Sequence, residues 1–159
     1  MIFELISTFF YCGKSKFAPG TVGTLVAFLI SVPLLYFENF TLISTIIAIL
    51  TLVTGIYTSD KYSKKIKKED PKEVVIDEVS GYFTSLALSS LFIQIDGFNL
   101  ANIIYLLLNF VAFRLFDIFK PYPISHIDKN IKGGFGIMLD DILAGIFAAL
   151  FIIIVYYCR

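Results

Sequence analysis

The chain has 159 residues, which is enough for a single domain. Hydrophobic residues make up 57% of it and charged residues only 16%, against the larger charged share of a typical soluble domain. The formal net charge is zero, so the basic surplus that nucleic-acid binding requires is absent and no nucleic-acid partner is expected. The composition therefore predicts a membrane protein, with a soluble helical bundle around one buried helix as the alternative.

The first polar motif along the chain is Ala18-Pro19-Gly20-Thr21-Val22-Gly23-Thr24. It predicts a loop that leads into a helix N-terminus, where free backbone N–H groups favour anions. Thr21 and Thr24 add two hydroxyl groups at this position. We therefore expect both threonines to bind substrate.

Five apolar segments follow, covering approximately residues 24–37, 40–57, 82–95, 100–119 and 142–157. A helix that crosses the bilayer core needs about 20 residues, so the first and third segments must be extended, tilted, buried or partly re-entrant. The predicted fold class is all-α: a compact multi-helix integral membrane bundle of about five apolar helices plus a short N-terminal helix. The whole chain, 1–159, is expected to form this one domain.

The lysines indicate the orientation of the bundle. Six lie in the loop between the second and third apolar segments, whereas the turns at Glu38 and Asp96 carry no basic residue. The positive-inside rule predicts that this loop faces the cytoplasm. With five crossings, twelve of the thirteen basic residues lie on that side and only Arg159 lies on the other.

Two acidic pairs, Asp77-Glu78 and Asp140-Asp141, adjoin apolar segments. The segment Asp70-Pro71-Lys72-Glu73 has the N-cap, proline and capping-box residues of a helix start, so a helix beginning there would carry the first pair in its second turn. The second pair is expected to open the last apolar helix. In both pairs an aspartate precedes a glycine by four residues, which places the two on one helix face.

Acidic residues at helix N-termini can simply complement the helix dipole. Two pairs together with a fifth carboxylate on the same predicted side instead favour a metal site, because acids near a membrane are costly and usually functional. Oxygen ligands without a Cys/His cluster suit Mg²⁺ better than Zn²⁺. The predicted catalytic and metal-binding residues are Asp77, Glu78, Asp117, Asp140 and Asp141.

Arg114, Asp117 and Lys120 recur at a spacing of three, which aligns them along one helix face. They could form a plain ion-pair ladder. If the face turns inward, Arg114 and Lys120 can bind an anion, and we predict that they bind substrate. The later segment from Gly133 to Gly136 predicts a flexible loop, and Gly133 and Gly134 are expected to present backbone N–H groups to a phosphate.

These groups predict hydrolysis of a lipid phosphate by water that a metal activates. A cysteine phosphatase is excluded because Cys12 is followed six positions later by Ala18 instead of the arginine that the Cys-x5-Arg motif requires. A histidine-nucleophile mechanism needs two histidines, and His126 is the only one. A cation transporter that uses the carboxylates as an ion path remains the alternative from another functional class.

Four strings, APGTVGT, VVIDEVSG, FRLFDIFKPYPI and GGFGIMLDDILAG, closely resemble the motifs of bacterial phosphatidylglycerophosphatase A. The resemblance spans approximately residues 17–147, and the seven acidic and basic site residues stand at the family's motif positions. It implies a Mg²⁺-dependent enzyme of phospholipid biosynthesis in the bacterial inner membrane, with its active site facing the cytoplasm. The implied substrate is the phospholipid phosphatidylglycerophosphate, which is converted to phosphatidylglycerol. Another lipid phosphate is the alternative substrate, and the oligomeric state is left open.

Overall fold

The computed structural model describes residues 2–158. Within them the chain forms seven α-helices and no strand, which confirms the predicted all-α class. The helices are α1 (Ile2–Ser7), α2 (Pro19–Leu34), α3 (Phe40–Ile66), α4 (Ile76–Ser89), α5 (Leu100–Phe119), α6 (Ile124–Asn130) and α7 (Gly133–Tyr157). A single 3₁₀ turn, Cys12–Lys14, lies between α1 and α2. Arg159, which was predicted to lie on the side of the membrane opposite the other basic residues, is outside the described residues.

Three of the helices, α3, α5 and α7, are long and apolar enough to cross a membrane. All three expose many large apolar side chains, and many of the residues that they bury are small or polar. On α3, for example, Leu50 and Val53 are exposed while Ser44 and Ala48 are buried. A soluble bundle has the opposite pattern, and small residues at helix contacts are typical of membrane bundles. This pattern indicates a membrane protein, with three helices that could span the bilayer.

The third apolar segment becomes α4, which lies at the centre of the bundle. It packs mainly against α7 and α3, and Val79, Phe83 and Leu86 are completely buried. At 14 residues α4 is too short to cross a bilayer unaided. The surrounding helices shield it from lipid, which matches the expectation that this short segment is buried.

The predicted start of α4 at Asp70 is wrong, because the helix begins at Ile76. The Val74 N–H donates to the Pro71 carbonyl at 2.9 Å and closes a turn, and the Val75 N–H donates to the Ser7 carbonyl of α1 at 3.0 Å. Both valines are buried, so tertiary contacts hold this segment out of the helix despite its capping residues. Asp77 and Glu78 consequently lie in the first turn of α4 and not in its second.

The predicted glycine loop at 133–136 is also wrong, because these residues form the first turn of α7. Gly134 permits this packing: a Cβ at this position would collide with the Ile56 carbonyl oxygen on α3. Asp140 and Asp141 therefore lie two turns inside α7 and do not open it. Similarly, the segment 19–24, predicted as a loop, is already helical in α2.

A buried polar network joins α4 to α5. The Ser85 hydroxyl donates to Asn109 Oδ1 at 2.7 Å, and the Ser89 and Tyr105 hydroxyl oxygens are 2.6 Å apart. The Asn109 amide also donates to the Tyr105 carbonyl at 3.0 Å. Such bonds between membrane helices fix their relative position because lipid offers no competing partner.

We expect Asn109→Leu to lower the stability of the bundle by about 1–2 kcal/mol. The substitution keeps the approximate volume but leaves the Ser85 hydroxyl without its acceptor at Asn109. Thermal unfolding of the purified protein in detergent measures the effect. An unchanged melting temperature would show that the network does not stabilise the contact between α4 and α5.

Candidate active site

The charged residues of the bundle meet in a cavity of about 340 Å³. It lies at the end of the molecule where α2, α4 and α7 begin and α5 ends. In the described part of the chain, eight acidic and four basic residues line it. The sequence places these residues far apart, and the helix ends bring them together.

A close contact between α4 and α7 positions the two central aspartates. A Cβ on Gly145 would collide with the Gly81 carbonyl oxygen, and a Cβ on Gly81 would lie 2.5 Å from the Asp141 carbonyl oxygen. Both helices run away from the cavity, so the residue four positions before each glycine lies one turn nearer to it. Asp77 and Asp141 are therefore held side by side by a glycine contact.

Asp77, Glu78 and Asp141 form a carboxylate cluster in which one oxygen from each lies within 4.8 Å of the others. Asp141 is only 4% exposed. Glu78 reaches the cluster beside Gly20 of α2, where any Cβ would collide with Glu78 Oε1. Gly20 is thus a site residue that sequence reasoning missed, although its place in the first glycine motif was a signal.

Arg114 and Asp117 form an ion pair at the edge of this cluster. Arg114 Nη1 lies 2.5 Å from Asp117 Oδ2 and 3.9 Å from Glu78 Oε1. Both side chains of the pair are mostly buried, and Asp117 also adjoins Asp141. Asp117 therefore pairs with Arg114 and is not part of the three-residue cluster. The geometry supports a metal-binding role for Asp77, Glu78 and Asp141 but does not give the same support to Asp117.

Lys120 forms a second group with two aspartates. Its Nζ lies 2.5 Å from Asp140 Oδ2 and 2.8 Å from Asp128 Oδ1. Burial opposes the charge on Lys120, but the hydrogen bonds to Asp128 and Asp140 outweigh it and raise the lysine pKa above its ordinary value. Asp128, on α6, is another site residue missed in the sequence, because nothing local indicates that α6 folds back over Lys120.

The four other predicted substrate-binding residues divide into two groups. Thr21 and Gly133 line the cavity, whereas Thr24 and Gly134 do not. The Thr24 hydroxyl is completely buried in the bundle and donates to the Gly20 carbonyl at 2.9 Å. Gly134 faces α3 instead. The expectation that Thr24 and Gly134 contact substrate is therefore not supported by where they lie.

The charges in the inner part of the cavity do not balance. Among the described residues, the five predicted carboxylates are opposed there by two cationic side chains, Arg114 and Lys120. Among the described residues, Glu78 Oε2 and Asp140 Oδ1 are buried without a hydrogen-bond partner. Buried carboxylates without compensation are costly, and oxygen ligands in this number suit a hard divalent cation. The residues present thus fit a bound Mg²⁺.

Fold and site together define a small helical membrane protein with an acidic site at one end of its bundle. The chain belongs to the phosphatidylglycerophosphatase A family, whose sequence model matches residues 5–156. Family membership makes it a phosphatase and confirms the resemblance found in its motifs.

Three relatives align over most of their length. Phosphatidylglycerophosphatase A of Haemophilus influenzae is 34% identical over 97% of this chain and 88% of its own length. The Escherichia coli protein of that name is 32% identical, covering 92% of this chain and 78% of its own length. A Bacteroides thetaiotaomicron protein named "Putative phosphatidylinositol-3-phosphatase" is 38% identical, covering 93% of this chain and 89% of its own length. No solved structure matches the chain.

Proposed function

We propose that the chain is a Mg²⁺-dependent phosphatase that converts phosphatidylglycerophosphate to phosphatidylglycerol and phosphate. The observation that carries the proposal is the carboxylate cluster of Asp77, Glu78 and Asp141 beside two cationic side chains in one cavity. The names of the Haemophilus and Escherichia relatives support the choice of substrate. Phosphate transfer needs little from the protein beyond positioning and charge stabilisation, and this cavity offers both.

Asp77, Glu78 and Asp141 would hold the Mg²⁺, which when bound would lower the pKa of a water molecule and polarise the phosphoryl group. Arg114 and Lys120 bind the phosphoryl oxygens and stabilise the charge that accumulates on them. Asp117 holds the guanidinium of Arg114 in place through the 2.5 Å contact. The Arg114 Nε is buried without a partner in the described chain, so it can donate to the substrate only after the side chain moves.

Asp140 is suited to act as the general base that accepts a proton from the attacking water. Lys120 fixes its Oδ2 at 2.5 Å, while its Oδ1 is buried and unpaired among the described residues. Once a small movement of the side chain opens that oxygen to the cavity, it can accept a hydrogen bond from water and then take its proton. Asp128 shares Lys120 with Asp140, so the lysine keeps one partner when it moves toward a phosphate.

The distribution of lysines supports a site on the cytoplasmic face of a bacterial inner membrane. Lys72, Lys120 and Lys132 line the cavity, and Lys65 contacts Glu4 nearby in α1 at 2.9 Å. The opposite end of the bundle carries Asp96, which accepts hydrogen bonds from the Asn99 and Asn102 amides. Lysines are concentrated at the cavity end, and the positive-inside rule, which counts Lys and Arg residues and not net charge, assigns that end to the cytoplasm.

A cation transporter would need carboxylates along a path through the bundle. Here the acids gather at one end, and the centre, in the described residues, is packed with apolar side chains and the Ser/Asn/Tyr network. This placement favours the enzyme. Phosphatidylinositol 3-phosphate is the second substrate to test, because the most identical of the three relatives carries that activity in its name.

Phosphate release by the detergent-purified protein tests the proposal. We expect release from phosphatidylglycerophosphate with Mg²⁺, none in EDTA, and recovery when Mg²⁺ is restored, because the inner carboxylates require a compensating cation. Phosphatidylinositol 3-phosphate is assayed in parallel. Equal release in EDTA would refute the metal requirement, and release from the inositol lipid alone would refute the proposed substrate.

A further inference from the structure

The mouth of the cavity has two different rims. On one side, exposed Glu69, Lys72 and Lys132 present charges to water. On the other, between α2 and α5, Arg114 and Asp117 are mostly buried in the interior, and the residues of the outer lining, such as Ala18, Pro19 and Ile118, are small or apolar. Ile118 is the large apolar residue of this second rim, and it is 64% exposed although it lines a strongly charged cavity.

Ile118 joins the cavity to the lipid-facing side of α5. At 3.6 residues per turn it lies about 40° around the helix from Arg114, which faces the cavity. It lies about 80° from Phe110, which packs on Phe28 of α2 with ring centroids 6.1 Å apart. Phe116, almost opposite Ile118, packs against α7. Ile118 therefore borders the seam between α5 and α2.

The facing side of α2 carries a matching exposed stripe. Thr21 lines the cavity, and Leu25 and Leu29 follow it at intervals of four residues, with exposed fractions of 46% and 57% for the leucines. Leu25 lies about 60° from Phe28, on the side that contacts α5. Gly23, almost opposite Leu25, packs on Val75. The two stripes thus flank one seam that leads from the cavity to the hydrocarbon region.

The cavity is also too small for a whole lipid. Its volume of about 340 Å³ is at the low end of the roughly 300–1,000 Å³ that small-molecule sites have. A phosphorylated head group fits that space, but two acyl chains do not. The hydrocarbon chains of a bound lipid must therefore leave the cavity, and the apolar rim is the side where burial of their surface is favourable.

We propose that the seam between the first turns of α2 and the last turns of α5 is a lateral port for lipid substrate. Leu25 and Ile118 contact the hydrocarbon chains of a lipid phosphomonoester whose phosphate lies in the cavity. The charged rim opposite admits water and releases inorganic phosphate. This inference rests on the proposed lipid phosphatase function and deepens it by assigning the residues that recognise the lipid part.

Fluorescence quenching tests the port without any need for turnover, because the chain contains no tryptophan. Leu25→Trp places a reporter at the port, and Leu50→Trp is the matched control on the lipid-exposed side of α3. Both are reconstituted in phosphatidylcholine with a non-hydrolysable lipid phosphonate that has brominated chains. We expect the brominated phosphonate to quench Leu25→Trp saturably. Half of the maximal quenching should need a mole fraction of phosphonate about fivefold lower than the mole fraction of brominated phosphatidylcholine that has the same effect. Identical responses of the two tryptophans would overturn the port.

A kinetic comparison tests the role of Ile118. We expect Ile118→Asn to raise the KM for a long-chain lipid phosphate about tenfold, because the chains lose an apolar contact. Hydrolysis of water-soluble glycerol 3-phosphate should stay within about twofold of the parent protein. Ile104→Asn, at a lipid-exposed position near the other end of α5, is the matched control. Equal losses in both variants, or on both substrates, would refute the assignment.

The two experiments separate the port from the proposed reaction. Selective quenching at Leu25→Trp without phosphate release from phosphatidylglycerophosphate would support the port and reject the proposed substrate. Phosphate release with no selective quenching and no selective effect of Ile118→Asn would support the reaction and reject the port.

Discussion

Asp141→Asn is expected to lower phosphate release from phosphatidylglycerophosphate at least about a hundredfold. Asp141 is buried, and its carboxylate is the one that α7 contributes to the cluster with Asp77 and Glu78. Asparagine keeps the shape of the side chain but removes the negative charge that would bind Mg²⁺. The loss should therefore arise from the site and not from unfolding.

Thermal unfolding separates these two explanations. Ligand binding at 100 times the Kd stabilises a protein by about 2.7 kcal/mol, which for a chain of this size is about 5–10 °C. We expect Mg²⁺ to raise the melting temperature of the parent protein by about this amount. The melting temperature of Asp141→Asn should hardly change when Mg²⁺ is added. In EDTA the variant should melt no lower than the parent, because it removes repulsion with Asp77 and Asp117.

Asp70→Asn is the matched control. Asp70 is exposed at the outer edge of the cavity and forms no ion pair among the described residues. We expect its activity and its Mg²⁺-induced thermal shift to stay within about twofold of the parent. Normal turnover by Asp141→Asn would remove Asp141 from the proposed site, and an equal loss in Asp70→Asn would show a general charge effect.

Gly145→Ala is expected to lower both stability and activity. Its new Cβ would collide with the Gly81 carbonyl oxygen, so α4 and α7 must move apart. Overpacking of this kind costs about 1–3 kcal/mol. The separation also displaces Asp77 from Asp141, and a shift of about 1 Å at a catalytic site can lower the rate a hundredfold. Thermal unfolding and phosphate release, measured on the same preparation, report the two effects.

Gly55→Ala provides the comparison for this variant. Its Cβ would meet the sulfur and methyl group of Met138, at 2.5 and 2.6 Å, and not a backbone atom. A methionine end can move aside, and alanine favours a helix by about 1 kcal/mol over glycine. We expect stability close to that of the parent and nearly full activity. If Gly145→Ala behaves like Gly55→Ala, the glycine contact does not position the carboxylates.

The site shows why part of it was predictable and part was not. Spacing along one helix correctly placed Asp77 on the same face as Gly81, and Asp141 on the same face as Gly145. In the structure these two faces pack against each other where α4 contacts α7. The start of α4 was missed because its capping residues compete with a bond from Val75 to Ser7, which are remote in sequence. Local propensity is a weak prior that such contacts override.

The sequence by itself indicated an all-helical membrane bundle with most of its acids and lysines on one side of it. Hydropathy and residue spacing are local properties, and the cost of charge in lipid confines ionisable groups to few places. Only the tertiary structure decided that Asp77, Glu78 and Asp141 cluster while Asp117 and Asp140 form ion pairs. It also brought Gly20 and Asp128 to the site, because these contacts join segments whose proximity no local pattern specifies.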